Sequence, residues 1–420
     1  MGGWCRSSRA EHLADRGVAS REVAEEFSIW DFRFEISRHR RGVDWITQAA
    51  LGAALGELML GKRLGNRALA WGALFGMLPE LDGLIFPFFD TAGRLSIHHG
   101  PSHSLLVMAL GSWALAQCLA KLWKKEKIDK AQAGWFVAAV WSAHVLVDCF
   151  SVDGAAALWP FAPSDVAFRN LAEVDVFFTG PLVVTVLWLT FLRDQKEKKQ
   201  RGKKTAPTSK RRQLCYWGLG LTTAYALLSV GLKFVASAGF EADFARRGIK
   251  YVRRMESPTP FNCLLWRSVA DRGEEFWVGY RSVFEFHDTP VRWTVYPKNQ
   301  AALAGVETMQ ETKMLIRHTD GWWIARANTK GVWLGDLRFP ESRTWGSKKT
   351  MVDSRLASSW LIHPTAKGDH LQHVSPESAY SGDSLKRMGA RILGTRDIWE
   401  ANPRLAGVSG SLPEFLAAEN

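Results

Sequence analysis

Residues 131–150 read AQAGWFVAAVWSAHVLVDCF. The stretch supplies the ~20 mostly apolar positions that a helix needs to cross the hydrocarbon core of a bilayer. Two ionisable side chains, His144 and Asp148, nevertheless sit inside it. Such groups are costly within a membrane, face protein or a water-filled cavity, and mark functional sites. Four residues apart on a helix, they project from one face and can serve one ion.

Apolar blocks of the same kind recur on either side: Trp45–Leu60, Ala68–Phe89, Ser104–Trp123, Val174–Leu192 and Leu214–Ala236. Together they predict about six membrane helices. The first is short, and its Ala49, Gly52, Ala53 and Gly56 suit close packing against a neighbouring helix. The second is interrupted by Pro79-Glu80-Leu81-Asp82. Because the first, second and fifth blocks are imperfect, a soluble all-helical core is the rival reading.

The whole chain of 420 residues has a mean hydropathy of only −0.12, an average that hides a polar second half. Its net charge of +12 does not point to nucleic acid, since no recognition motif accompanies it. The basic groups lie instead in alternate connections: Lys62, Arg63 and Arg67; Lys121–Lys130; and Arg193–Arg212. Positive charge marks cytoplasmic loops, so the other connections and everything after Ala236 face outward. Arg38, Arg40 and Arg41 would then fall on the wrong side. Residues 1–42 have no signal-peptide core and read as an extension, either loosely ordered or upstream of a start at Val43. The five cysteines show neither CxxC nor metal-finger spacing.

Residues 237–340 switch to short alternating runs. Glu275–Phe286, Arg292–Tyr296, Trp322–Ala327 and Val332–Phe339 predict strands, the last two joined by the turn Asn328-Thr329-Lys330-Gly331. Ala301–Ile316 predicts a helix, and Trp266, Trp277, Trp322, Trp323 and Trp333 a small core. Residues 341–420, rich in Ser, Gly, Pro and charge, predict a loosely ordered tail, with His370 and His373 solvated. The expected fold is a multi-pass α-helical membrane domain, residues 43–236, followed by a small extracytoplasmic α+β domain.

With that topology the ionisable groups of the apolar half gather at one membrane face. Glu80 and Asp82 lie late in the second block, His98, His99 and His103 before the third, His144 and Asp148 late in the fourth, and Asp175 at the start of the fifth. His98 and His103 bracket the turn Gly100-Pro101, and Ser102 is a candidate N-cap for the helix that follows. Imidazole with carboxylate suits zinc first, and manganese or iron as alternatives. A bound ion lowers the pKa of its water to about 7 and so favours hydrolysis. The bland alternatives are interhelical hydrogen bonding for His144 and Asp148, capping for Glu80 and Asp82, and an N-terminal helix charge for Asp175.

These residues resemble the YdjM-like, LexA-regulated membrane-bound metal-dependent hydrolases, from Asp44 to roughly Phe339 and most closely over Asp44–Pro181. The opening Asp44-Trp45-Ile46-Thr47 looks like the family's start. Pro79-Glu80-Leu81-Asp82 is similar to its P-D-x-D, His98-His99-Gly100-Pro101-Ser102-His103-Ser104 to its H-R-G-x-[ST]-H-S, and His144 to Asp148 to its H-x-x-x-D. Trp159-Pro160-Phe161 and Asp175 also fall in family positions. The chain departs at His99, where the family has Arg, and at Asp153-Gly154, where relatives carry Tyr-Gly.

The resemblance implies hydrolysis of a lipid-linked or envelope phosphoester at the inner membrane. Asp82, His98, His103, His144, Asp148 and Asp175 would be metal ligands or their supporting partners, with Glu80 the general base or a bridging carboxylate. Membrane lipid and a small-molecule or lipid-linked substrate are the expected partners. The rivals are a non-catalytic envelope protein with a structural metal or polar cluster, and an ion transporter. Ionisable groups crowded at one interface, rather than at mid-depth, speak against the transporter.

Overall fold

The structure, a computed structural model, describes residues 45–97, 100–162, 164–192, 210–340, 356–365, 369–374 and 382–396. The extension 1–42, His98, His99 and the basic run 193–209 lie outside them.

Helices α1 (Trp45–Leu64) and α2 (Asn66–Gly76) form a hairpin that turns at Gly65, whose φ of 56° suits a residue without a Cβ. Their backbones touch. A Cβ on Gly52 would lie 2.2 Å from the Gly72 carbonyl oxygen, and one on Gly72 2.1 Å from that of Gly52. The small residues seen in the first apolar block therefore do what such residues do between membrane helices. Pro79 and Pro87, which lack an N–H, turn the chain after α2 into a 3-10 segment, Pro79–Phe88, bent by 51° from it. A short helix α3 (Thr91–Ile97) follows.

Helix α4 (Leu105–Leu122) is capped by Ser104, whose Oγ accepts from the Leu106 and Val107 amides. The cap is thus Ser104 and not Ser102, because residues 101–103 form a separate 3-10 turn. Helix α5 (Lys130–Phe150) opens with a capping box between Asp129 and Gln132. Helices α6 (Val176–Phe191) and α7 (Lys210–Arg247) complete the helical part. Helices α4, α5 and α7 are long and apolar enough to cross a membrane, and α2 with the 3-10 segment adds a fourth if the bent pair is one span. Helix α1 carries Glu57, Lys62 and Arg63, and α6 has only 16 residues, which is why these two fall short.

Two of the basic connections meet at one end of the helical part. Arg63 donates to Gln132 Oε1 at 2.7 Å and Arg67 pairs with Glu126 at 2.8 Å, tying the α1–α2 turn to the α4–α5 turn. At the same end Arg211, which the sequence suggests is a loop residue, is buried in the first turn of α7. It grips Glu57 through two bonds of 2.7 Å and also caps the Leu189 carbonyl.

The second half forms two antiparallel four-stranded sheets, each in sequential order. The first holds β1 (Arg253–Pro258), β2 (Leu265–Asp271), β3 (Glu275–Ser282) and β4 (Trp293–Pro297). The second holds β5 (Trp323–Asn328), β6 (Gly331–Asp336), β7 (Ser359–Ile362) and β8 (Leu371–His373), with Asn328 paired to Gly331 across the predicted turn. Met255, Val269 and Phe276 of one sheet pack against Ile324 of the other, against Trp322 just before it, and against Met388 of helix α9 (Gly382–Ile392). Phe240 and Phe244 of α7 cover the outer face of the first sheet over Trp266 and Trp293. Ala92 of α3 and Leu315 of helix α8 (Gln310–His318) cover that of the second.

Strands β7 and β8 and helix α9 lie in the range predicted to be a loose tail. Trp360 and Ile362 are fully buried there, and they anchor a stretch whose average composition is polar. The helix predicted at Ala301–Ile316 is divided at Gly305 (φ 87°) into a short turn and α8.

The sandwich is fastened to the helical part. The Thr91 amide donates to Asp369 Oδ2 at 2.7 Å, the Phe261 amide to the Val174 carbonyl at 2.8 Å, and Arg338 reaches Asp153 at 3.5 Å. The Asp153 that departs from the resembled pattern thus has a partner in the C-terminal half.

Candidate metal centre

Four side chains from three places in the sequence meet at one end of the helical part: Glu80, His103, His144 and Asp148. All are buried, and one donor atom from each lies within 4.8 Å of the others. Helix α5 presents His144 and Asp148 one turn apart, with Nε2 and Oδ2 separated by 3.0 Å. The 3-10 turn after Gly100 brings in His103, whose Nε2 lies 3.2 Å from Asp148 Oδ2 and 3.2 Å from His144 Nε2. The break after α2 turns Glu80 inward, its Oε1 3.8 Å from His144 Nε2 and 4.0 Å from His103 Nε2.

The outer hydrogen bonds set the protonation of this group. A backbone carbonyl can only accept, so the 2.6 Å contact of His144 Nδ1 with the Gly76 carbonyl puts the proton on Nδ1 and leaves the Nε2 lone pair facing the cluster. Ser102 Oγ lies 3.0 Å from His103 Nδ1 and 3.2 Å from Asp82 Oδ2. A hydroxyl that donates to Asp82 accepts from His103 Nδ1–H, which leaves the second Nε2 lone pair inward as well. Gln48 Nε2 donates to Asp148 Oδ1 at 2.8 Å and leaves Oδ2 to the cluster.

Two imidazole lone pairs and two carboxylate oxygens thus converge. A divalent cation among them satisfies all four. Ligands held 2.0–2.1 Å from a tetrahedral ion stand about 3.3 Å apart, close to the 3.0–3.2 Å among His103, His144 and Asp148. These residues therefore fit a metal ion, with Glu80 set slightly further out.

Of the ligands suggested by sequence, His103, His144 and Asp148 are brought together and Glu80 joins them. His98 lies outside the described residues. Asp82 stands behind His103 through Ser102 rather than inside the cluster. Asp175 is elsewhere: its Oδ1 caps α6 through the Phe177 and Phe178 amides, and its Oδ2 accepts from Tyr225 Oη at 2.8 Å. Gln48 and Ser102 were not singled out for these roles. The signal for Gln48 was a side-chain amide in an otherwise small and apolar block.

Supporting bonds of this kind raise ligand basicity and hold ring orientation, and losing one typically costs 10–100-fold in metal affinity. Ser102→Ala is expected to weaken binding by that factor while stoichiometry at saturation stays unchanged. Metal titration with a competing chelator measures it, and an unchanged affinity would remove Ser102 from the site.

No curated protein and no solved structure matches the chain. The family described as YdjM inner membrane protein matches residues 43–237, which include all four clustered residues and end within α7, short of the Phe339 to which the motif likeness extends. The helical part of the chain is thus similar to the YdjM inner membrane proteins.

Proposed function

We propose that the protein is a membrane-embedded, metal-dependent hydrolase that acts on a phosphoester at the outer face of the inner membrane. The observation that carries this reading is the asymmetry of the cluster. Three donors, His103, His144 and Asp148, lie within 3.2 Å of one another, while Glu80 stands back at 3.8–4.0 Å. Three protein ligands with an open fourth position are the pattern of catalytic zinc sites. When bound, the ion supplies Lewis acidity and a water of lowered pKa. Glu80 is placed to accept a proton from a nucleophilic water in the gap, and Asp82 and Ser102 hold His103 in the tautomer that binds. Zinc fits this donor set first, with manganese and iron as alternatives.

A second reading has Glu80 close the coordination sphere, as four protein ligands do in structural sites. Glu80→Gln separates the two. For a general base, metal content stays and hydrolysis of bis-p-nitrophenyl phosphate falls 10²–10⁴-fold. For a fourth ligand, metal is lost along with any activity; full activity in the variant would remove Glu80 from both roles, and no hydrolysis by the metal-loaded wild type would sink the hydrolase reading.

The proposed topology has six crossings, with the centre and the sandwich outside, supported by the two basic turns that share the opposite end. Reporter fusions after Lys127 and Asn420 are expected to give opposite signals. The same signal from both would overturn the orientation.

A further inference from the structure

The segment Pro79–Phe88 has two unlike sides. Glu80 is turned into the centre and is only 7% exposed, whereas Leu84 and Phe88 on the same segment are 65% and 83% exposed. A second apolar lip lies beside the residues that follow His103. Ser104 Oγ donates to the Trp159 carbonyl at 2.6 Å and the Leu105 amide to the Ala157 carbonyl at 3.0 Å, so loop 157–161 is fastened to the first residues of α4. That loop exposes Leu158 and Trp159, and Phe161 is 81% exposed. Leu106 and Leu110 of α4 are exposed as well, on a helix apolar enough to face lipid and largely unburied. Within residues 79–89 and 157–161 the only charged types are Glu80 and Asp82, one in the cluster and one bonded to Ser102.

We infer that the substrate of this centre is a membrane lipid phosphoester that reaches it sideways, its hydrocarbon chain lying between segment 79–88 and loop 157–161. The inference rests on the hydrolase reading for its chemistry but on the two lips for its substrate class. Neither stretch itself contains a lysine or an arginine, and Arg94, which follows the first, has its Nε on the Phe86 and Phe89 carbonyls. A lipid finds exposed apolar surface that ends beside a group of residues able to hold a cation for its phosphate. The chain keeps its burial throughout, and only the head group leaves the interface. The lips thus select for the chain and the centre for the phosphate.

The test uses the full-length protein in phosphatidylcholine nanodiscs, loaded with manganese, and a phosphatidic acid probe spin-labelled at the fifth carbon of one acyl chain. Manganese in the centre is expected to accelerate nitroxide relaxation in the wild type. The effect should be lost in Phe88→Asp and Phe161→Asp, whose manganese content stays equal to wild type. In parallel, those variants should hydrolyse phosphatidic acid at least tenfold more slowly and bis-p-nitrophenyl phosphate at the wild-type rate. Relaxation coupling without hydrolysis of either compound supports the lateral route and overturns the hydrolase reading. Hydrolysis of the soluble compound without coupling to the labelled lipid overturns the lateral route, as does coupling that both variants retain.

Discussion

Replacing His144 by alanine is expected to empty the metal centre of the detergent-purified protein, from about one ion per chain to background, and Asp148→Asn is expected to do the same. His144 supplies a lone pair whose direction is fixed by the Gly76 carbonyl, and Asp148 an oxygen within 3.2 Å of both imidazoles. With either gone, at most two close donors remain beside Glu80, too few to hold a divalent ion against chelation. Ligands that act as a unit are non-additive, so the double variant should lose little beyond either single one. If the two residues were only helix contacts, each substitution would cost stability on the order of 1 kcal/mol and leave metal content intact. Elemental analysis beside thermal melting separates these outcomes. Full occupancy in both single variants would remove the ligand assignment and the hydrolase reading that depends on it.

The part of this centre legible in the sequence was the part carried by local geometry. His144 and Asp148 could be paired because a helix places positions four apart on one face. Glu80 and His103 could be assigned to the right end of the bundle, because alternate basic connections order the helix ends. Their meeting at 3–4 Å depends on the break after Gly76 and the turn after Gly100, and neither has a periodic signal. Asp175 shows the limit: a carboxylate at a helix start reads the same whether it binds an ion or caps the helix, and only Tyr225, fifty residues later in the chain, takes up its second oxygen.

The same distinction holds for the fold. The strands near Glu275 and Trp323 were visible from their aromatic and β-branched alternation. Strand β2 was missed because Arg267 and Ser268 lie in its middle. Both are buried, since the second sheet and helix α7 cover the two faces of the strand's sheet, and the Arg267 guanidinium donates to the Leu337 carbonyl at 2.6 Å. A strand buried on both sides by elements far away in sequence has no polar face to reveal it.

The junction between the sandwich and the helical part gives the second large effect, expected from Arg338→Leu. Arg338 is buried. Its guanidinium holds Asp336, itself fully buried, through contacts of 2.8–3.1 Å, and reaches Asp153 at 3.5 Å. Burial by itself would favour the uncharged guanidine, but Asp336 and Asp153 outweigh it and hold the pKa of Arg338 above its ordinary value. A buried pair need not stabilise a fold relative to an apolar one, but removing one partner strands the other, at a cost of about 3–5 kcal/mol. Arg338→Leu takes from Asp336 the guanidinium that binds it and leaves it beside Asp153, with Arg169 also nearby, and should lower the denaturation midpoint of the sandwich accordingly. Adding Asp336→Leu removes the stranded charge and should restore most of the loss, a coupling that a double-mutant cycle reads directly. Asp153 follows the end of α5 by three residues, in the loop whose Ser151 Oγ donates to the Asp148 carbonyl. The single variant is therefore also expected to weaken metal binding by loosening the helix end that carries Asp148, whereas a sandwich acting as a separate body would lose stability with metal affinity unchanged. A double variant no more stable than Arg338→Leu alone would show that packing around the guanidinium stem, and not the charge, holds this junction together.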